Sequence, residues 1–177
     1  MDALDVAPPG FGGGGFVPPP PVVQADVWTV DHPILLSGEV FMMTVPGKEK
    51  LCVDDGGGRT NGETKFHLAH CDPTNPGQAF RYEATTNSIR SAVKGDLCVD
   101  DGGGRTNGET KFHLLQCDPR NINQKFVYDW SKERFFNPHK PNMCMDDGGG
   151  VAAGETKFHL WECDASNRNQ HFGILRL

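Results

Sequence analysis

Apolar and polar residues alternate in short bursts along this chain, and the bursts recur at a fixed interval. In Leu51-Cys52-Val53-Asp54, Leu51 and Val53 point one way while Cys52 and Asp54 point the other. From Phe66 to Cys71, Phe66 and Leu68 face a core, and His67, Ala69 and Cys71 face away from it. The segment Leu51–Leu68 is repeated letter for letter at Leu97–Leu114 and returns with changes at Met143–Leu160, a period of 46 residues. Such period-2 runs predict strands, and the Gly, Asn, Asp and Pro clusters between them predict turns. In the second unit the predicted strands are 88–92, 96–100, 111–116 and 124–128. A Gln-x-Phe segment opens the last strand of each unit, at Gln78, Gln124 and Gln170. Twelve strands and no helix predict an all-β fold. One unit is too short to bury a core alone, so the three must pack around a common axis.

Counting back from Leu177 places the units at about 40–85, 86–131 and 132–177, within a domain of 38–177. Residues 1–37 lack the alternation. Gly12–Gly15 and Pro18–Pro21 are uninterrupted runs that cannot build a core. Val27-Trp28-Thr29-Val30 and Ile34-Leu35-Leu36 read as a short strand and an apolar lead-in. Composition alone fits a disordered tail. The other reading is an arm outside the repeat domain, held by a partner chain or by grooves of its own domain through Phe11, Phe16, Val22, Val23 and Trp28.

The totals narrow the function. A net charge of −6 argues against nucleic acid, which needs a basic face. No apolar run approaches the roughly 18 residues of a membrane span. The cysteines fall as one pair per unit: Cys52 and Cys71, Cys98 and Cys117, Cys144 and Cys163. They lack the clustered spacing of zinc ligands. One disulfide within each unit satisfies the count and the symmetry, and free buried thiols are the alternative. Bridges imply an extracellular or other oxidising compartment. No secretory signal or Arg-rich transit peptide is visible at the start, which leaves a processed form or a reducing compartment open.

The outward positions gather one carboxylate, one imidazole and one variable residue in each unit. These are Asp54, His67 and Ala69; Asp100, His113 and Leu115; and Asp146, His159 and Trp161. The Asp-Asp-Gly-Gly-Gly turns lack the spaced acidic ligands of a calcium loop, so a turn-forming role is expected of them. The three histidines lie in separate units, which favours hydrogen bonding to a sugar, at His159 and His113, or to the local turn over a shared zinc. No nucleophile setting and no distinct carboxylate dyad is present, so no catalysis, metal or cofactor is expected.

Three motifs recur together: Cys-x-Asp before a Gly-rich turn, a strand ending in Cys, and Gln-x-aromatic after an Asn. This combination resembles the ricin-type (R-type) lectin domain, a β-trefoil, over about 40–177. Gln-x-Phe stands where the family usually has Gln-x-Trp. The resemblance implies a galactose-type sugar held by the Asp of Cys-x-Asp and the Asn before Gln-x-aromatic, with a ring stacked on the sugar face. Carried over, the carboxylates are Asp54, Asp100 and Asp146, and the amide position is Gly77, Asn123 and Asn169. The stacking position is Ala69, Leu115 and Trp161, so only the third repeat keeps all three groups. Core packing remains the other reading of Trp161. The expected partners are glycans, with protein chains reached through the 1–37 arm as a further class. The rival to sugar binding is a structural subunit of a larger assembly, docked through that arm.

Overall fold

The structure, a computed structural model, describes residues 38–48, 50–57, 65–104, 111–150 and 157–177. The 1–37 arm, with its strand at 27–30 and its candidate anchors, lies outside the described residues. Twelve strands follow in order: β1 (Val40–Thr44), β2 (Leu51–Asp54), β3 (His67–His70), β4 (Phe80–Glu83), β5 (Ser88–Ser91) and β6 (Leu97–Asp100) come first. They are followed by β7 (His113–Gln116), β8 (Val127–Asp129), β9 (Arg134–Phe136), β10 (Met143–Asp146), β11 (His159–Glu162) and β12 (Gly173–Arg176). The hairpins β2–β3, β6–β7 and β10–β11 share one register: Cys52 faces Ala69, Cys98 faces Leu115, and Cys144 faces Trp161. Strand β12 pairs antiparallel with β1, so the last repeat closes onto the first. Three four-stranded repeats around one axis make the fold a β-trefoil.

The axis is built from phenylalanine. Phe66, Phe112 and Phe158, one from each hairpin, form a triangle with ring centroids 6.1–6.3 Å apart and edge-to-face tilts. Each ring also meets the phenylalanine of a Gln-x-Phe segment: Phe80, Phe126 or Phe172. Edge-to-face pairs place the positive ring edge on a negative face, which adds to the area each ring removes from water. Leu68, Leu114 and Leu160 are fully buried beside them, as the alternation predicts.

Two sequence expectations need correction. Gln78, Gln124 and Gln170 do not open strands; each ends a one-turn 3-10 segment, Pro76–Gln78, Ile122–Gln124 or Arg168–Gln170. Asn75, Asn121 and Asn167 cap these turns, each side chain accepting the N–H two residues on. The second correction concerns the first strand of each hairpin. Cys52 and Asp54 do face away from the apolar core, yet both are buried, and so are their counterparts in the other repeats. A second, polar layer covers them.

The cysteines form that layer with their neighbours. Cys52 is bonded to Cys71, Cys98 to Cys117 and Cys144 to Cys163, each with a Cα–Cα distance of 5.0 Å. Each bridge ties the first strand of a hairpin to the end of the second, on the side remote from the core.

Candidate functional site

The Asp-Asp-Gly-Gly turn after each first hairpin strand is held by its own side chains. Asp146 Oδ1 accepts the N–H of Gly148, and Asp147 Oδ1 accepts that of Gly149, both at 2.8 Å. The same two bonds occur at Asp54 and Asp55 and at Asp100 and Asp101. Glycine is required at the first of these positions. Gly56, Gly102 and Gly148 have φ near +80°, and an added Cβ would lie only 2.6–2.9 Å from the carbonyl oxygen of Lys65, Lys111 or Lys157.

The Asp of Cys-x-Asp is the hub of the polar layer. Asp146 Oδ2 accepts from Asn167 Nδ2 at 2.7 Å and from Gln170 Nε2 at 3.3 Å. Gln170 Nε2 also donates to the carbonyl of Glu162, and Gln170 Oε1 accepts from the N–H of Asp164. Asp54 with Asn75 and Gln78, and Asp100 with Asn121 and Gln124, repeat the arrangement. One carboxylate oxygen is thus committed to the framework in every repeat, and among the described residues the other accepts one glycine N–H.

The histidines stand beside these carboxylates. His67, His113 and His159 each place Nδ1 2.8–3.1 Å from the carbonyl of the residue two before. A carbonyl can only accept, so Nδ1 carries the hydrogen in this contact and Nε2 is the nitrogen left as an acceptor. His159 Nε2 lies 3.7 Å from Asp146 Oδ1. The Trp161 ring is 5.3 Å from the His159 ring and 40% exposed. That exposure removes the core-packing reading of Trp161.

Asn169 joins the same turn through its backbone and its side chain. Its carbonyl accepts the N–H of Asp147 at 3.0 Å, and its Nδ2 lies 3.3 Å from where a Cβ on Gly149 would be. Asn123 sits in the same way against Gly103. In the first repeat Gly77 takes this place, and a Cβ there would come within 2.9 Å of Asp54 Oδ1. The third repeat therefore brings together Asp146, His159, Trp161 and Asn169. The second brings together Asp100, His113 and Asn123 beside Leu115, and the first has only Asp54 and His67 beside Ala69.

The second aspartate of each turn has a partner that the sequence reading missed. Lys94 Nζ meets Asp55 at 2.5 and 2.6 Å, and Lys140 Nζ meets Asp101 at 2.6 and 2.7 Å. Lys48 Nζ meets Asp147 Oδ2 at 2.5 Å. Each lysine comes from the neighbouring repeat, and Lys48 joins the first repeat to the third. Burial pushes all three carboxyls above the usual carboxylate value, while the lysine and a glycine N–H act in the opposite sense. The signal was available, since Lys48, Lys94 and Lys140 recur at the same 46-residue period. Among the described residues, no group of three His, Cys, Asp or Glu side chains could hold a metal ion. No helix among them is long and apolar enough to cross a membrane.

Known structures share this architecture. The agglutinin from Abrus precatorius superposes with a TM-score of 0.63 at 20% identity, over 81% of this chain and 47% of that one. The chain thus spans about half the length of that agglutinin chain. The C-half of the earthworm R-type lectin, solved in complex with GalNAc, gives 0.62 at 16% identity, over 78% of this chain and 99% of that one. A non-toxic homologue of type II RIPs from Momordica charantia, solved with α-methyl-D-galactoside, gives 0.61 at 19% identity, over 81% and 48% of the two chains. No curated protein matches the chain in sequence. The family model of the ricin-type beta-trefoil lectin domain matches residues 41–172. With three equivalent hairpins, three intra-repeat disulfides and this match over most of its length, the chain belongs to the ricin-type β-trefoil lectin domain family.

Proposed function

We propose that the protein binds carbohydrate, that a galactose-type sugar is the ligand, and that the third repeat holds it. The observation that carries this reading is the exposed Trp161 ring beside His159 and Asp146, on a disulfide-tied hairpin. A pyranose presents hydroxyls to acceptors and donors and one C–H face to a ring. Asp146 Oδ1 supplies a charged acceptor, His159 Nε2 a second acceptor, and Asn169 an amide. Trp161 supplies the platform that removes the C–H face from water.

The second repeat keeps Asp100, His113 and Asn123 but offers Leu115 in place of the ring, which makes it the weaker site. The first, with Ala69 and Gly77, does not bind. Sugar-bound structures of the earthworm and Momordica charantia proteins support the galactose class. The role is recognition without catalysis, and the three disulfides suit an extracellular or other oxidising setting. A glycan array probed with the full chain tests the proposal. Signal on galactose- and N-acetylgalactosamine-terminated glycans, lost in Trp161→Ala, is the expected result. An array with no signal would leave a scaffold role as the better account.

A further inference from the structure

The three inter-repeat lysines are equivalent in sequence but not in what they hold. Lys94 and Lys140 each reach both oxygens of their aspartate. Lys48 reaches one oxygen of Asp147 and also donates to Asn169 Oδ1 at 3.3 Å. Among the described residues, Lys140 makes no such bond to Asn123. The surroundings of the two turns differ as well. In the second-repeat turn, Asn137 Nδ2 donates to Asp101 Oδ2 at 3.1 Å, and the position equivalent to Asn137 beside the third-repeat turn is Val45. Valine donates nothing to Asp147, and Lys48 divides its bonds between the carboxylate and the amide.

We propose that Lys48 is a positioning residue for the third-repeat sugar site. This rests on the carbohydrate-binding reading above. An ammonium has only hydrogens to offer, so it selects the oxygen end of the Asn169 amide. Nδ2 then lies on the Gly149 side, where the turn has no Cβ to block it. Asn123 Nδ2 takes the same side against Gly103 with no lysine bond among the described residues, so Lys48 locks this direction rather than creating it. The amide thus enters the site as a donor of defined direction, complementing the acceptor Asp146 Oδ1. Lys48 is itself held. Its side chain is 10% exposed, its N–H donates to the Val45 carbonyl, and its carbonyl accepts from Leu51. The site therefore includes a group from the first repeat, across the seam where β1 meets β12.

The test compares galactose titrations of the full chain with the side-chain amide signals of Asn169 in nitrogen-resolved NMR. Lys48→Met should weaken galactose binding roughly 5- to 20-fold, less than the loss of a direct charge-assisted contact because Lys48 acts through Asn169. It should also shift the Asn169 amide signals in the sugar-free protein. Lys48→Arg should restore part of the affinity. Lys94→Met removes the equivalent pair from the first repeat and should leave galactose affinity unchanged. Lys48→Met strands the buried Asp147 charge; the double variant Lys48→Met, Asp147→Asn removes that charge, keeps an acceptor for Gly149, and should show the same loss. If the parent binds galactose and either Lys48→Met or the double variant binds it as well as the parent, or if Lys94→Met costs as much as Lys48→Met, the positioning role is wrong while the sugar site stands. If the parent binds no galactose, both fall together.

Discussion

Asn167 donates its side-chain amide to Asp146 at 2.7 Å, and Asn75 does the same to Asp54 at the same distance. The carboxylate of Cys-x-Asp is therefore framework in every repeat, whatever sits in front of it. Asp54→Ala should cost about 2–3 kcal/mol of stability, because it leaves the Asn75 and Gln78 amides short of an acceptor. Galactose affinity should barely change. Asp146→Ala should lose both stability and affinity. Thermal unfolding alongside isothermal titration separates the two; an Asp54→Ala protein as stable as the parent would contradict the shared framework.

The glycines of the turn divide by what surrounds them. Gly148→Ala places a Cβ 2.6 Å from a backbone oxygen at positive φ, and Gly57→Ala, with nothing within 4 Å of the added Cβ among the described residues, meets only the positive φ. Gly57→Ala should cost about 1 kcal/mol, and Gly148→Ala at least twice that. Chemical denaturation of the two variants checks the order, and equal midpoints would refute it.

Reduction is a further test of the framework. Each bridge joins cysteines 19 residues apart. Closing such a loop is worth about 3 kcal/mol, and a trefoil domain with all three opened should unfold at much lower denaturant concentration. Peptide mapping of the unreduced protein should recover Cys52–Cys71, Cys98–Cys117 and Cys144–Cys163. Pairings between repeats would contradict the fold described here.

The carboxyl titrations should split in two directions. Hydrogen bonds from Thr74 hold Asp72 below the usual value, and bonds from Ser166 do the same for Asp164. Their contribution to stability is present above the ordinary carboxylate range and is lost as pH falls through the depressed values. Asp55, Asp101 and Asp147 are displaced upward, with burial as the main cause. Between the unfolded and the raised folded values the native state binds more protons, so their contribution falls as pH rises through that window. Carbon-detected NMR should find Asp147 protonating at higher pH than Asp164. The reverse order would show that Lys48 outweighs burial.

The fold was legible because hydrophobic parity and a fixed period are properties of the chain itself. Phe66 and Leu68 went to the core as their spacing predicts, and the repeat implied the axis on which Phe66, Phe112 and Phe158 meet. Parity alone could not tell that Asp54 and Cys52, though turned from the core, are covered. That depends on Gln78 and Asn75, which return from more than twenty residues downstream. The Gln-x-Phe segments looked like strands because their aromatic is apolar, but the glutamine side chain is drawn into the polar layer and the backbone turns to bring it there. Within the candidate site, strand parity grouped Asp146, His159 and Trp161 on one outward side, and the place of Asn169 was an expectation from resemblance. Lys48 was not found, because its partners lie about a hundred residues away in sequence and only the closed ring of repeats brings them near.

The central claim is that the third repeat is the carbohydrate site, and galactose titration of the full chain with Trp161→Ala, Asp146→Ala and Asp54→Ala tests it most directly. Trp161→Ala and Asp146→Ala should each abolish most of the binding, and Asp54→Ala should leave it nearly intact. Equal losses from Asp54→Ala and Asp146→Ala, or full binding by Trp161→Ala, would contradict it.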